Sequence, residues 1–346
     1  MILIGMLHHR RNPIKVKKSY AYAAVAKAEG AELLFFSPGR VDFEQKIING
    51  YLYKNGKWQE VKSRFPDVIY NAGSPDKLKE QQRVIDNLKS NIPFTTHSIG
   101  NKLSVYYRLK LDGTFKNYLI PSHNILSLKQ FYHYLNHYRK IVFKPVNGHK
   151  GQNIVYIEII ENNKFLFRIN NKDKYINESV LKEYVTNKIK IDRFIIQPYI
   201  KSVTKSGNAF DFRLHTQKDG SGKWVITSIY PRIGPLGSIV SNINSGGATN
   251  YLEPFLKQEY GEKHYNIKQY LEQFSLKLAK KMDELQKKYF NETIDEIGID
   301  VGLDEHDKIW IFEVNWRPGC PPTFYLELDV VKNMINYAMY LVKKRD

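Results

Sequence analysis

The sequence predicts an α/β protein built from more than one lobe, and three observations carry that expectation. The 346 residues are enough for two or three lobes around a sizeable core. Short apolar runs that read as buried strands alternate with stretches of helical period, beginning with residues 1–6, 20–29 and 33–36. Toward the C-terminus the clearest helix, residues 266–290, repeats Ile267, Tyr270, Phe274, Leu278, Met282, Leu285 and Tyr289 at intervals of three or four. Two strands joined by a short polar turn follow it.

Residues 1–100 read as a small α/β lobe. The alanine-rich helix of residues 20–29 stops at Gly30, and the strand at 33–36 stops at Ser37-Pro38-Gly39. Asn55-Gly56, between Tyr51-Leu52-Tyr53 and Trp58, is a two-residue hairpin signal. A strand at 67–70, a helix at 76–89 and a strand beginning at Pro93 complete the lobe.

A second unit, residues 101–346, divides into a central lobe of about 125–200 and a C-terminal lobe of about 201–346. A helix is expected from residue 102 to 111. Residues 138–155 read as strand, turn and strand, with Asn147-Gly148-His149-Lys150-Gly151 as the turn. A strand, a helix around 178–186 and the apolar run Phe194-Ile195-Ile196 follow, then strands at 210–217 and 224–230. Residues 231–254 read as a loop, 297–303 and 309–314 as strands, and 329–342 as a closing helix.

Composition narrows the function classes. Apolar residues at 42% and aromatic residues at 13% are globular values and exclude a disordered chain. The single cysteine, Cys320, excludes an internal disulfide framework and fits a reducing compartment. No apolar run approaches the roughly 20 residues of a membrane span. The apolar start precedes the basic His8-His9-Arg10-Arg11, the reverse of a signal peptide. A cytoplasmic location is the expectation. The net charge of +18 comes mainly from lysines spread from end to end, with only 13 arginines. A nucleic-acid binder concentrates such charge on one element beside stacking aromatics, so the pattern favours an anionic small-molecule or peptide substrate instead.

The strongest chemical signal is Gly298-Ile299-Asp300-Val301-Gly302 followed by Phe312-Glu313-Val314-Asn315-Trp316-Arg317-Pro318-Gly319. If these are adjacent antiparallel strands, Glu313 and Asn315 share a face and Asp300 can lie opposite them. Two carboxylates and an amide oxygen suit Mg²⁺, a hard cation with oxygen ligands. A solvated strand face is the plainer explanation, but these acids sit in apolar surroundings, where a carboxylate needs a partner. The second signal is Lys144 at the end of an apolar strand, facing the turn that holds Gly148, His149 and Gly151; a lysine and turn N–H groups can close over phosphate. Third, the strand around Gln197 is stopped by Pro198, so that Tyr199 and Ile200 can sandwich an adenine. Fourth and fifth are Asp211-Phe212-Arg213, and Arg232 followed by the segment from Asn242 to Ala248. Arginines there can clamp phosphate or carboxylate oxygens.

In this order and spacing the motifs resemble the ATP-grasp superfamily, in its glutathione-synthetase/RimK-like branch and most nearly the YheC/YheD-like proteins described as endospore coat-associated. The resemblance spans about residues 100–346. It implies a pre-ATP-grasp α/β lobe followed by two lobes clasping ATP, and ligation of a carboxylate to an amine through an acyl phosphate. It further implies ATP held by Lys102, Lys144, Gly148, His149, Gly151, Gln197, Tyr199, Ile200, Asp211 and Asn242, with Arg108 and Lys110 as rivals to Lys102. Asp300, Glu313 and Asn315 would hold Mg²⁺, as two ions for which Mn²⁺ can substitute, and Lys144, Arg213 and Arg232 would act in catalysis. Arg232, Arg213 and Arg317 are candidates for the substrate carboxylate and the oxyanion. The sequence departs from the pattern at Gln197, where an acid usually stands, in having no acid over residues 201–208, and at Gly298, where some ligases carry arginine. The expected partners are small-molecule or peptidic carboxylates and amines of anionic character and, through the resemblance, spore coat proteins, into whose layer the chain would be incorporated. A coat component that keeps the fold without catalysis, and a nucleic-acid-binding module, remain as alternatives. His149 could contact phosphate and the His8–Arg11 stretch could touch substrate, but each reads more simply as solvated loop residues.

Overall fold

A computed structural model describes residues 1–146, 153–161, 163–169, 172–241, 246–318 and 324–344. Three sheets organise the chain. The first is built from β1 (Ile2–Leu7), β2 (Ala31–Phe36), β3 (Val41–Asp42), β4 (Ile47–Lys54), β5 (Lys57–Arg64), β6 (Val68–Asn71) and β7 (Phe94–Thr95). β1 lies between β2 and β6 with all three parallel, and β7 extends this row in the same sense. β2 then pairs antiparallel with β4, which carries β3 and β5. A parallel strand row must be covered on both faces, which is why β1 is apolar almost throughout. Ile4 and Met6 face a core shared with helix α1 (Lys18–Ala28), whereas Leu3 and Leu7 face a second core. That second core also receives the short helix α2 (Pro75–Leu78) and α3 (Gln82–Asn91), through Leu78, Ile85 and Leu88. The Asn55-Gly56 turn joins β4 to β5 with both residues at positive φ, 50° and 77°, the mirror-image turn whose twist matches a hairpin.

After α4 (Lys102–Asp112) comes β8 (His123–Ile125), then α5 (Leu128–Tyr138) and the antiparallel run β9 (Lys140–Pro145), β10 (Val155–Glu161), β11 (Lys164–Ile169) and β12 (Lys172–Ile176). Helix α6 (Glu178–Ile191) leads into β13 (Phe194–Pro198), which inserts between β9 and β8. One face of this sheet packs Phe143, Ile157 and Phe194 against Phe131 and Leu135 of α5 and Leu181 and Val185 of α6. Strand alternation turns Val142, Lys144, Ile195 and Gln197 to the other face.

The third sheet contains β14 (Phe210–Lys218), β15 (Trp224–Ile233), β16 (Ala248–Thr249), β17 (Glu296–Leu303) and β18 (Ile309–Trp316), in the order β16-β15-β14-β17-β18 and antiparallel throughout. α7 (Leu252–Tyr260) and α8 (His264–Phe290) cover the face that carries Phe212, Leu214, Ile297, Ile299 and Val301, together with Val105 and Leu109 of α4. The last helix, α9 (Phe324–Lys343), returns to the first sheet and buries Val331, Met334, Ile335 and Ala338 beside Ile4 and Met6. Among the described residues no helix is long and apolar enough to cross a membrane.

Three local expectations change. The helix expected over residues 76–89 is split into α2 and α3 by a 3₁₀ turn at Lys79–Gln81, a stretch without an apolar residue to anchor it. α5 occupies a stretch with no assigned element, and α7 begins inside the expected loop of residues 231–254.

Candidate functional site

The face of the third sheet opposite α8 is polar, and its register sets charged residues side by side. Asp211 pairs with Arg232 across β14 and β15, and Arg213 pairs with Asp300 across β14 and β17. Asp300 pairs in turn with Glu313 on β18, and Gly298 pairs with Asn315. Strand geometry alone therefore brings Arg232, Asp211, Arg213, Asp300 and Glu313 onto one surface. Between Asp300 and Val301 the register slips by one residue, a bulge that leaves Phe312 without an opposite number. The Phe312 ring lies over Gly302, where a Cβ would come within 2.3 Å of Cζ, so glycine there makes room for it.

Arg232 donates to Asp211 through Nε (2.7 Å to Oδ1) and Nη2 (2.6 Å to Oδ2), and its Nη2 also lies 3.0 Å from Asp300 Oδ2. Arg213 donates to Asp300 Oδ1 through Nε and to Oδ2 through Nη2 at 3.1 Å. All four side chains are buried, and two positive charges balance two negative ones. Burial alone would raise the Asp300 carboxyl, but the Arg213 and Arg232 guanidiniums outweigh it and hold the group below its usual range. At Asp211 burial prevails over Arg232 and the carboxyl is pushed up. Asp300, between two arginines, is the firmly ionised acid of the row. The sequence offered both arginines as direct clamps on substrate; in the structure their Nε and Nη2 groups engage Asp211 and Asp300.

Lys144, on the open face of the central sheet, approaches this row from the other side. Its ammonium is lowered to about 8 by desolvation, with Lys102 adding to the shift and Glu313 opposing it. Lys102, at the start of α4, puts Nζ 3.0 Å from Glu313 Oε2, and its helix is set by the Asn101 side chain accepting from the Ser104 N–H at 2.9 Å. Of its rivals, Arg108 turns inward to Gln286 Oε1 at 3.1 Å and to the Ile99 carbonyl, and Lys110 lies 5.8 Å from the centre of the Tyr106 ring.

A cavity of about 260 Å³ joins these parts. Lys102, Lys144, Asp211, Arg232, Asp300 and Glu313 line it, together with Gln197, Pro198, Tyr199 and Ile200 at the end of β13. Gln197 is fixed by donating to Ser122 Oγ at 2.6 Å, and the Tyr199 ring meets Tyr156 edge-on at 4.8 Å. The cavity therefore has an apolar end, with Val142, Ile195, Tyr199 and Ile200, and a charged end at the Asp300–Glu313 pair. Gly148, His149, Gly151 and Asn242 lie outside the described residues. Sequence reasoning missed Ser122, Ile239, Val240 and Phe312 among the lining residues; only Phe312, beside the acid motif, carried a usable signal.

The donor set fits a hard divalent cation. Asp300 and Glu313 face each other across two strands, and the Asn315 amide reaches Asp300 Oδ2 at 3.4 Å. Cationic side chains already collect on both acids. Among the described residues no cluster of three His, Cys, Asp or Glu side chains could hold a metal, so such an ion would rest on two carboxylates and an amide and would share its shell with other oxygens.

The sequence model of the YheC/D like ATP-grasp group matches residues 91–341. The endospore coat-associated protein YheD of Bacillus subtilis (strain 168) is 26% identical over 333 residues, 91% of this chain and 72% of the relative. YheC of the same organism is 20% identical over 330 residues, 92% of this chain and 89% of that one. Among solved structures, the D-alanine–D-alanine ligase of Bacillus anthracis superposes with a TM-score of 0.56 over the whole of both chains at 12% identity, a likeness of fold.

Proposed function

Since the chain belongs to the YheC/D-like ATP-grasp family, we propose that it is an ATP- and Mg²⁺-dependent ligase that activates a carboxylate as its acyl phosphate and joins it to an amine. The observation that carries the reading is the Asp300–Glu313 carboxylate pair at the floor of a cavity that also holds Lys144, Lys102 and the Gln197–Ile200 segment. In this reading Tyr199 and Ile200 at the apolar end would receive the adenine, and Lys144 and Lys102 would receive the phosphates. Asp300, Glu313 and Asn315 would hold Mg²⁺, which would supply compensation of phosphate charge there.

The chain's own contribution is positioning and charge compensation. Arg213 and Arg232 keep Asp300 ionised and fixed in direction, and Asp211 anchors Arg232 from the far side. Lys144, largely removed from water, offers an ammonium that phosphate would hold in its protonated form. Lys102 spans Glu313 and the Lys144 side of the cavity, so its ammonium can pass from the carboxylate to phosphate as the nucleotide enters. The family resemblance further assigns nucleotide contacts to Gly148, His149, Gly151 and Asn242. The substrates would be anionic, and the coat-associated names of the two relatives motivate a place for this chain in the spore coat.

Release of inorganic phosphate from Mg·ATP, screened against paired carboxylates and amines, tests the reading. Release that requires both substrates supports it. A chain that binds nucleotide but releases no phosphate with any pair is instead a coat component that keeps the fold without catalysis.

A further inference from the structure

Where the parallel strands of the first sheet end, a basic corner meets the segment that follows β18, and the site above makes no use of it. Leu7 of β1 pairs in register with Asn71 of β6, and the Asn71 carbonyl accepts from Arg317 Nη1 at 2.9 Å. His8 and His9 follow β1 directly, their rings stacked at 4.2 Å. The Arg10 N–H donates to His8 Nδ1 at 2.9 Å, and the Ser74 N–H donates to His9 Nδ1 at 3.2 Å. A ring nitrogen that accepts from an amide carries no proton, so each neutral imidazole bears its proton on Nε2. Neither Nε2 has a hydrogen-bond partner among the described residues.

The charges that bear on the two imidazoles are of one sign, while the one acid that acts on Arg317, Glu296, does so without an ion pair. Burial, then His9, Arg10, Arg317 and Lys77, lower His8 to about 4, and burial with Lys77, Arg10 and Arg317 lowers His9. Both rings are therefore neutral donors near pH 7. Arg317 stands in the left-handed region at φ 48°, its guanidinium 4.1 Å from the centre of the Trp316 ring, and it meets no carboxylate among the described residues. A half-buried guanidinium held in a strained backbone, with no carboxylate in contact among the described residues and two tautomer-fixed imidazoles nearby, is a corner that can take an anion.

We propose that Arg317, with the Nε2–H groups of His8 and His9, forms a carboxylate subsite that holds the free carboxylate of an amino-acid substrate. The planar fork of Arg317 matches a carboxylate bidentately, and the imidazoles add neutral donors. Arg317 is two residues from Asn315, at most about 7 Å along the chain, so an amino acid held here directs its other end toward the Asp300–Glu313 row. The assignment rests on the reading of that row as the reaction centre.

The test is calorimetric titration of the full chain with the common amino acids in both enantiomers and with their amides, with and without Mg·AMPPNP. Wild type is expected to bind at least one amino acid and not its amide. Arg317→Asn, which tolerates the left-handed backbone, should weaken that binding about 10- to 100-fold while leaving Mg·AMPPNP affinity unchanged, and Arg317→Lys should recover part of the loss. Unaltered amino-acid binding in Arg317→Asn, equal binding of acid and amide, or no amino-acid binding by a chain that takes Mg·AMPPNP would each overturn the subsite. Arg317-dependent amino-acid binding without any nucleotide binding would support the subsite and sink only the nucleotide reading.

Discussion

Asp300→Asn keeps the shape of a side chain that two arginines share and removes its charge. The four buried side chains then change from two positive and two negative groups to two positive and one negative, Asp211 being the other acid among those four. Removing one partner from a buried ion pair costs about 3–5 kcal/mol, since a desolvated charge is left uncompensated. For a chain of 346 residues the unfolding entropy is about 0.7 kcal/mol per kelvin, so the melting temperature should fall by about 4–7 °C. Thermal unfolding at pH 7.5 without nucleotide measures this. Combining the variant with Arg213→Met closes a double-mutant cycle, in which a coupling of at least about 1.5 kcal/mol is expected. The pH dependence has a definite sign. The folded-state carboxyl lies below its unfolded value, so its stabilisation is complete above about pH 4 and is lost as pH falls through the lower folded value. The gap between wild type and variant should therefore narrow in acid. A drop of less than about 1 °C, or strictly additive single variants, would refute the charge-row argument.

Two further predictions follow from shifted groups. Lys144 loses its proton near pH 8, so affinity for Mg·ATP should decline as pH rises through about 8. Lys144→Met should weaken nucleotide binding by about tenfold or more and abolish that pH step, and a step that persists in the variant would assign it to another group. Buried Asp295 is raised to about 7 by desolvation and by Glu296, against its hydrogen bonds from Thr96. Between about pH 4 and 7 the folded state then holds a proton that the unfolded chain releases, so this group makes stability fall as pH rises. Asp295→Asn should improve relative to wild type by about 2–3 kcal/mol between pH 5 and 8, read from urea midpoints; a constant difference would contradict the assignment.

The parts of the fold with one strong period were legible. β1, β2 and β6 are mainly apolar runs because both faces are covered, and α8 repeats its buried apolar residues from Ile267 to Leu285, about five turns, because one stripe carries the third sheet's core. α5 was not legible. Its sequence LKQFYHYLNHY is rich in aromatic and histidine residues of poor helix propensity, and only Phe131 and Leu135 are deeply buried. α7 hid behind Pro254, which stands in its first turn, where a proline does no harm. The closing helix was read as a helix, but its packing on the first sheet, more than 300 residues away in sequence, is a tertiary fact without local signal.

At the site, period-2 alternation was enough to set Glu313 and Asn315 on one face and Asp300 opposite, because strand geometry fixes the side of every residue. The bulge at Phe312 and the bidentate Asp211–Arg232 pair depend on register and cross-strand distance, which a single sequence does not carry. The same holds for the Lys102–Glu313 contact, whose partners stand 211 positions apart in the chain.

The most direct test of the account is calorimetric titration of wild type and Glu313→Ala with AMPPNP, with Mg²⁺ and with EDTA. Glu313 is partly exposed and its bridge to Lys102 contributes at most about 1 kcal/mol, so the variant should melt within about 2 °C of wild type. Wild type should bind AMPPNP more tightly with Mg²⁺ than with EDTA and rise in melting temperature with ligand concentration, and Glu313→Ala should lose the Mg²⁺-dependent part. No binding by wild type at millimolar nucleotide, or identical Mg²⁺ dependence in the variant, would contradict the claim that the Asp300–Glu313 pair is the metal-bearing floor of a nucleotide site.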